Sequence, residues 1–477
     1  MSSVSKNFVY NTALSLSQLI IPVFTFPYIT RILGPDGIGR VNFADSFVGY
    51  FILFAGLGIP IYGVREIARA DKSQVAEVFS EIFSIQLLFT ILLSALYLLI
   101  TFLFFSGETL QQYLVVGGVM LISTTFIVEW YFQGTAQFRF IAVRTILNRL
   151  FFFALLFILI HNKSHAIYYF LMIVLSTAVN AVVNFYIVRK EVQIKVQFSS
   201  SVVKKHFLPI FYIFFSRAAI TLFLFLDTIF LGFLSDDEQV GYFSTALKIT
   251  KIPIMIVSSL GVVLMPNLSG AFADKNLNHF RELIKKSISF VLATSIPIVF
   301  LFYSCSDYII TVFAGSKYTQ ASILIKILSP VIILIGLSTI FSQQILIPMK
   351  KDKQIMISVI GAIIACVFFD IYLISKFKAI GAAITNLIVE SIVMLVCLFF
   401  ALKSLVDFID VKQILTYLVF AIPSVFFVNV SQMLSREPLI VLLITMAFFG
   451  IYYLITYGFI LKNEIFVLVQ RKIKKSL

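Results

Sequence analysis

The chain has 477 residues, of which 60 % are apolar and only 13 % charged, and its mean hydropathy is +1.02. These values exclude an ordinary water-soluble domain and point to a protein whose main solvent is lipid. The formal charge of +14 follows from where the cations fall along the chain, and nucleic-acid binding is not expected.

In chain order, apolar runs predict helices near 8–31, 38–60, 82–105, 111–132, 141–160, 166–188, 207–234, 240–265, 287–305, 321–347, 355–375, 380–402, 413–431 and 438–461. Each run is about 20 residues or longer, enough to cross ~30 Å of hydrocarbon. The runs are continuous rather than alternating, so an all-α integral membrane protein is expected and a transmembrane β-barrel is not. The first run is too long, and lacks the small-residue cleavage site, for a removable signal peptide. With about fourteen spans, loops on the side of the termini hold 25 of the 37 Lys and Arg residues and the opposite loops hold seven. The positive-inside rule then places both termini in the cytoplasm. The basic tail from Arg471 to Lys475 is placed to touch anionic lipid.

No connection is long enough for a soluble domain, and the chain carries no phosphate-binding loop, no nucleophile elbow and no acid–base pair in a large loop. Neither a catalytic site nor a cofactor is therefore expected, and the protein is not read as an enzyme. Cys305, Cys366 and Cys397 lie in or beside separate spans, which favours buried packing over a metal site or a disulfide. His161 and His165 share a short outer loop, and Asp236, Asp237 and Glu238 are read as a solvated turn.

An internal repeat stands out. Residues 39–46 read GRVNFADS and residues 241–248 read GYFSTALK, and Ala70-Asp71-Lys72 recurs as Ala273-Asp274-Lys275. Two parallel six-helix lobes follow, 1–188 and 207–402, joined by a cytoplasmic linker at 189–206 and followed by two peripheral helices and a basic tail in 403–477. An even number of spans per unit keeps both copies in one orientation, as in transporters built from parallel repeats.

Basic residues interrupt several spans: Arg149, Arg217, Lys248, Lys251 and Lys326. Each charge near a helix centre costs about 2.5–3.5 kcal/mol on insertion scales, so such residues face a watery cavity or a partner. Helical spacing puts Thr145 and Arg149 on one face, Arg217 and Thr221 on another, and Ser244, Lys248 and Lys251 on a third. Lys326 lies one turn into its span and can snorkel outward. Asn42, Asp45 and Gly49 line one face of the second span. The cluster points to an anionic cargo.

The chain resembles the polysaccharide repeat-unit flippases (O-antigen and capsule, Wzx-type) of the multidrug/oligosaccharidyl-lipid/polysaccharide exporter superfamily. The resemblance lies in PYITRILGPDGIG at 27–39, GLGIPIYGVREIAR at 56–69, DTIFLGFLSDDEQVGYFSTALKI at 227–249, LMPNLS at 264–269 and AIGAAITNLIVES at 379–391. It implies a V-shaped MATE-like arrangement with a central cavity and alternating access. It also implies movement of an undecaprenyl-diphosphate-linked oligosaccharide across the bacterial plasma membrane. By position, Arg31 and Asp45 match a basic–acidic pair of the relatives. Arg149, Arg217, Lys248 and Lys251 are the further candidates for the diphosphate, and Asp45 is the candidate for coupling to a proton or a sodium ion. Implied partners are the lipid-linked oligosaccharide, membrane lipids and a polysaccharide polymerase. The alternatives are a multidrug or lipid II-like exporter of the same superfamily and, further off, a membrane glycan polymerase. Tags at residues 2 and 477 should both report cytoplasm, checked by protease accessibility in intact cells; protection on the outer side alone supports the orientation.

Overall fold

The computed structural model describes residues 3–105, 107, 109–405, 408 and 410–460, and their side chains apart from those at 3–20, 212, 215–224, 259–263, 266, 404 and 459–460. Every regular element among these residues is helical. The helices are α1 (Ser3–Gly56), α2 (Ile59–Arg69), α3 (Val75–Phe104), α4 (Thr109–Thr125), α5 (Glu129–Gly134), α6 (Phe138–Leu159), α7 (Ala166–Glu191), α8 (Ser200–Leu234) and α9 (Asp237–Ala273). They continue with α10 (Leu277–Ser304), α11 (Ser306–Ala314), α12 (Ser322–Leu328), α13 (Val331–Thr339), α14 (Asp352–Phe377), α15 (Ala379–Ser404), α16 (Val411–Ala421), α17 (Phe427–Leu434) and α18 (Pro438–Ile455). The chain packs as two units, Met1–Gly241 and Tyr242–Leu477.

Eleven helices among the described residues are long and apolar enough to cross a membrane, and twelve when a pair bent by 42° at Ser329 and Pro330 counts as one. The expected count was fourteen. α1 joins two helices across a kink at Gly34 (φ 72°, ψ 176°), which falls between the first two expected spans. Pro35 disfavours helical geometry at the residue before it, and glycine takes the positive φ without a Cβ clash. The seventh expected span, 207–234, lies within the continuous helix α8 (Ser200–Leu234), part of whose side chains are outside the described set.

In the first unit, α1 packs against α3, α4, α6, α7 and α8. Lipid gives little drive to bring apolar helices together, so close packing and polar contacts must do it. Aromatic rings supply much of that packing: Phe79 stacks on Trp130 at 5.0 Å, and Phe83 meets Phe185 at 5.5 Å. Such pairs contribute about 0.5–1.5 kcal/mol each. Hydrogen bonds across helices add to it, with the Tyr97 hydroxyl donating to Leu114 O at 2.6 Å and Asn148 Nδ2 donating to Ser176 Oγ at 2.8 Å.

The closest backbone approach in this unit joins the opening glycines of the two repeat copies. A Cβ on Gly39 would stand 1.7 Å from Asp237 O, and one on Gly241 would stand 2.0 Å from Pro35 O. Each glycine therefore meets the residue four positions before the other. Beside them, Arg40 Nε donates to Asp237 Oδ2 at 2.6 Å. Asp236 Oδ1 accepts from Gln239 N at 3.0 Å. The acidic run expected as a solvated turn thus includes an ion-paired member.

In the second unit, α10, α13, α15, α16 and α18 share one apolar core. Within it, the Tyr417 hydroxyl lies 3.1 Å from Ser289 Oγ and Gln413 Nε2 donates to the same oxygen at 3.0 Å. α16–α18 turn a tyrosine-rich face inward and leave Val419, Phe426, Met433 and Leu443 exposed on the other. Cys305, Cys366 and Cys397 are all buried. Lys326, expected to reach outward, pairs with Asp307 Oδ2 at 3.6 Å.

The reciprocal glycine contact gives a direct test. Gly39→Ala and Gly241→Ala are each expected to destabilise by about 1–3 kcal/mol through forced separation of two backbones. Gly361→Ala is the control, since nothing lies within 4 Å of its added carbon, and it should be neutral or stabilising. Thermal unfolding of the purified protein in detergent reads the difference.

Candidate functional site

Two interruptions in the helices of the first unit open on the same space. α1 gives way to α2 at Leu57 and Gly58, with φ of 47° and 137°. α4 gives way to α5 across Phe126–Val128, where Val128 takes φ 38° and ψ 37°. A left-handed conformation at a β-branched residue stores strain of about 1–3 kcal/mol. Breaks of this kind are tolerated at membrane depth where they line a cavity and leave backbone groups facing it. Here they border a cavity of about 640 Å³ whose wall includes Asp45, Leu57, Gly58, Gln86, Thr90, Thr125, Val128, Glu129 and Gln133.

Its polar groups are held by neighbours. Thr90 Oγ1 and Thr125 Oγ1 lie 2.6 Å apart, and Trp130 Nε1 donates to Gln86 Oε1 at 3.3 Å. Two carboxylates, Asp45 on α1 and Glu129 at the start of α5, belong to the wall. Asp45 is half-buried and close enough to Tyr169 to act on it electrostatically. Glu129 acts in the same way on Arg144 and Arg149.

The end of the cavity near α2 and the start of α8 is tied by a buried network. Glu81 Oε2 accepts from Lys205 Nζ at 2.7 Å and lies 2.8 Å from His206 Nε2, while His206 Nδ1 is 2.6 Å from the Tyr62 hydroxyl. His206 is 3 % exposed as a side chain and Lys205 is 58 % exposed. Three helices, α2, α3 and α8, are fastened to one carboxylate.

The candidate residues fall as follows. Arg31 is exposed on α1, ahead of the kink, and Arg149 is half-buried on α6. Neither is among the residues that line the cavity. Arg217 lies on α8 among the residues whose side chains fall outside the described set. In the second unit, Lys248 and Lys251 are both exposed within the apolar helix Asp237–Ser258, while Ser244, Ile249 and Thr250 are buried. Asp370, fully buried on α14, accepts from Cys366 Sγ at 3.3 Å. Within the first unit, then, Asp45 and Glu129 share the cavity wall. Hydropathy put Glu129 at the end of a span and hid its place, because the break at 126–128 has no Gly or Pro to announce it.

The residues 4–272 match the family model of a polysaccharide biosynthesis protein. The chain belongs to that family. Residues 213–371 also match the MatE family model. A putative O-antigen transporter of Escherichia coli (strain K12) is 27 % identical over 412 residues, covering 83 % of this chain and 96 % of that protein. Among solved structures, lipid II flippase MurJ in an inward closed conformation matches with a TM-score of 0.75 at 17 % identity, covering 94 % of this chain and 99 % of that one. A multidrug resistance MATE family transporter in an inward-facing conformation matches with a TM-score of 0.59 at 16 % identity, covering 83 % of this chain and 97 % of that one. The all-helical membrane fold expected from the sequence is therefore the MATE-like one.

Glu81 provides the sharpest mutational contrast. Glu81→Ala leaves buried His206 without its carboxylate and should cost about 1–3 kcal/mol. Lys205→Gln removes a partner that water can replace and should cost about 0.2–1 kcal/mol. Comparing the two melting temperatures in detergent checks the order; equal losses would deny His206 its structural role.

Proposed function

We propose that this protein flips a lipid-linked glycan, an oligosaccharide repeat unit on undecaprenyl diphosphate, across the bacterial plasma membrane by alternating access. The observation that carries the reading is the exposed pair Lys248 and Lys251 on α9. Lys248 lies ~16 Å along the helix from Asp237 at 1.5 Å per residue, near the middle of a ~30 Å hydrocarbon layer. Exposed ammonium groups at that depth are tolerable only against water or an anion. A diphosphate needs such groups, because its charge is costly in hydrocarbon unless charge-assisted hydrogen bonds replace its water. The family, the O-antigen transporter relative and the fold shared with a lipid II flippase support the same cargo class.

On this reading Arg31, Arg149, Arg217, Lys248 and Lys251 bind the diphosphate and its first sugars. The moving bodies are the lobes 1–188 and 207–402, with both termini cytoplasmic, and a polysaccharide polymerase takes the delivered unit. Asp45 is the coupling residue for a proton or a sodium ion, and we add Glu129 as its companion, since both acids line one cavity. The same acids favour a second reading, export of cationic amphipathic drugs, for which an acid-lined cavity is the binding site.

The charge-removing pair Lys248→Gln, Lys251→Gln separates the two. Each lost charge-assisted contact should weaken cargo binding by about 1.5–3 kcal/mol, or roughly 10- to 150-fold. Polymer at the cell surface should disappear, with lipid-linked repeat units accumulating inside, at normal protein level. Lys→Arg changes should keep part of the activity because the charge persists. Unchanged polymer export in the double variant would overturn the cationic site, and drug resistance lost with Asp45→Asn and Glu129→Gln alone would select the second reading.

A further inference from the structure

A second depression of about 820 Å³ lies on the first unit between α6 and α7, away from the carboxylate cavity and sharing no residue with it. Its inner part is apolar and open: Leu147 is 61 % exposed, Phe151 60 % and Val179 44 %. Its mouth is basic, with exposed Arg139 and half-buried Arg144. α6 begins where α7 ends, as Gln137 Nε2 donating to Glu191 Oε2 at 3.0 Å shows. Exposed Arg189 and Lys190 therefore sit at the same end. Glu191 is engaged at that oxygen by Gln137 and by the Tyr131 hydroxyl at 2.9 Å.

The guanidinium of Arg144 is only partly used. One terminal nitrogen donates to Asn184 Oδ1 and the other to Thr145 Oγ1 at 2.8 Å. Its Nε, buried, has no hydrogen-bond partner among the described residues. One turn further in, Asn148 is 8 % exposed, gives its amide N–H groups to Ser176, and has Oδ1 without a partner. A trench that starts at two arginines and continues along an apolar helix pair has the chemistry of a phosphate head followed by an acyl chain.

We propose that this trench is a binding site for one anionic phospholipid of the leaflet at the α6 N-terminal end, with phosphatidylglycerol as its occupant. The phosphate sits beside Arg139 and Arg144 at the basic mouth. One acyl chain lies over Leu147, Phe151 and Val179. A zwitterionic lipid carries its own cation beside the phosphate and gains less from the two arginines. The bound lipid acts as a fixed wedge that holds α6 against α7, and so supports the helix pair behind the carboxylate cavity.

Native mass spectrometry of the full-length protein in detergent, titrated with dioleoyl phosphatidylglycerol or dioleoyl phosphatidylcholine, tests the site. The wild type should retain one phosphatidylglycerol about tenfold more tightly than phosphatidylcholine, the scale of one charge-assisted contact. Arg139→Gln, at an exposed side chain, should remove most of that preference, and Arg139→Gln with Arg144→Gln should abolish it. Leu147→Trp, which fills the trench and keeps both charges, should weaken both lipids. Equal retention of the two lipids by the wild type, or undiminished preference in both arginine variants, would overturn the proposal. So would displacement of phosphatidylglycerol by an equimolar polyprenyl diphosphate, which would assign the trench to an isoprenoid cargo.

Discussion

The contact on which the first unit turns is the backbone crossing at Gly39 and Gly241. Two helix starts approach until the carbonyl of one lies where the Cβ of the other would be, and only glycine leaves room for it. The contact is reciprocal: each glycine meets the residue four positions before the other. The Arg40–Asp237 pair beside it is more than a third exposed on both sides and adds little by Coulomb attraction alone. Its use is registry, since it fixes which turn of α1 faces the start of α9. From that crossing α1 runs on through Asn42, Asp45 and Gly49 to the break at Leu57, so the position of the cavity wall is set by the crossing.

The cavity itself depends on helices that stop. A continuous α4 would carry Glu129 on around its axis and leave no backbone opening. The left-handed turn at Val128 instead starts a short new helix with Glu129 in its first turn and Trp130 against Phe79. The strain at Val128 is offset by the aromatic packing of Phe79, Trp130 and Tyr131 and by the Gln86 hydrogen bond to the indole. The Tyr62–His206–Glu81–Lys205 chain links α2, α3 and α8 without entering the cavity wall. Its stiffness comes from burial, since an acid and an imidazole shut away from water keep their bonds or lose stability.

Much of the fold was legible because lipid imposes one rule, that every backbone group bond internally, and long apolar runs then have to be helices. Thirteen of the breaks between runs fall where loops, caps or kinks occur, but hydropathy cannot tell a loop from a kink, and α1 shows why. Gly34 and Pro35 kink the chain where one helix passes directly into the next, whereas Leu57 and Gly58 end the second. The repeat was visible as sequence, yet nothing in GRVNFADS or GYFSTALK announces that their glycines touch. Within the candidate site, Asp45 could be found because an acid in an apolar span is costly wherever it lies. Glu129 and Glu81 could not, because acids near span ends are ordinary and only the tertiary fold turns them inward. Lys326, one turn into its span, pairs with Asp307, an exposed acid in a segment that hydropathy treats as loop.

On the proposed reading as a flippase, the separation of charge along the chain makes physical sense. An anionic cargo and a cationic coupling ion cannot share a site without neutralising the groups meant to hold them. On that reading Asp45 and Glu129, in the wall of the first unit, lie on different helices from the exposed Lys248 and Lys251 of α9. Arg149 and Arg144 stand within the field of Glu129, so a cation bound at that carboxylate would weaken its hold on both arginines. On the proposed reading, occupancy of the acid site would thereby change how strongly Arg149 attracts the cargo, a differential interaction of the kind that coupling requires.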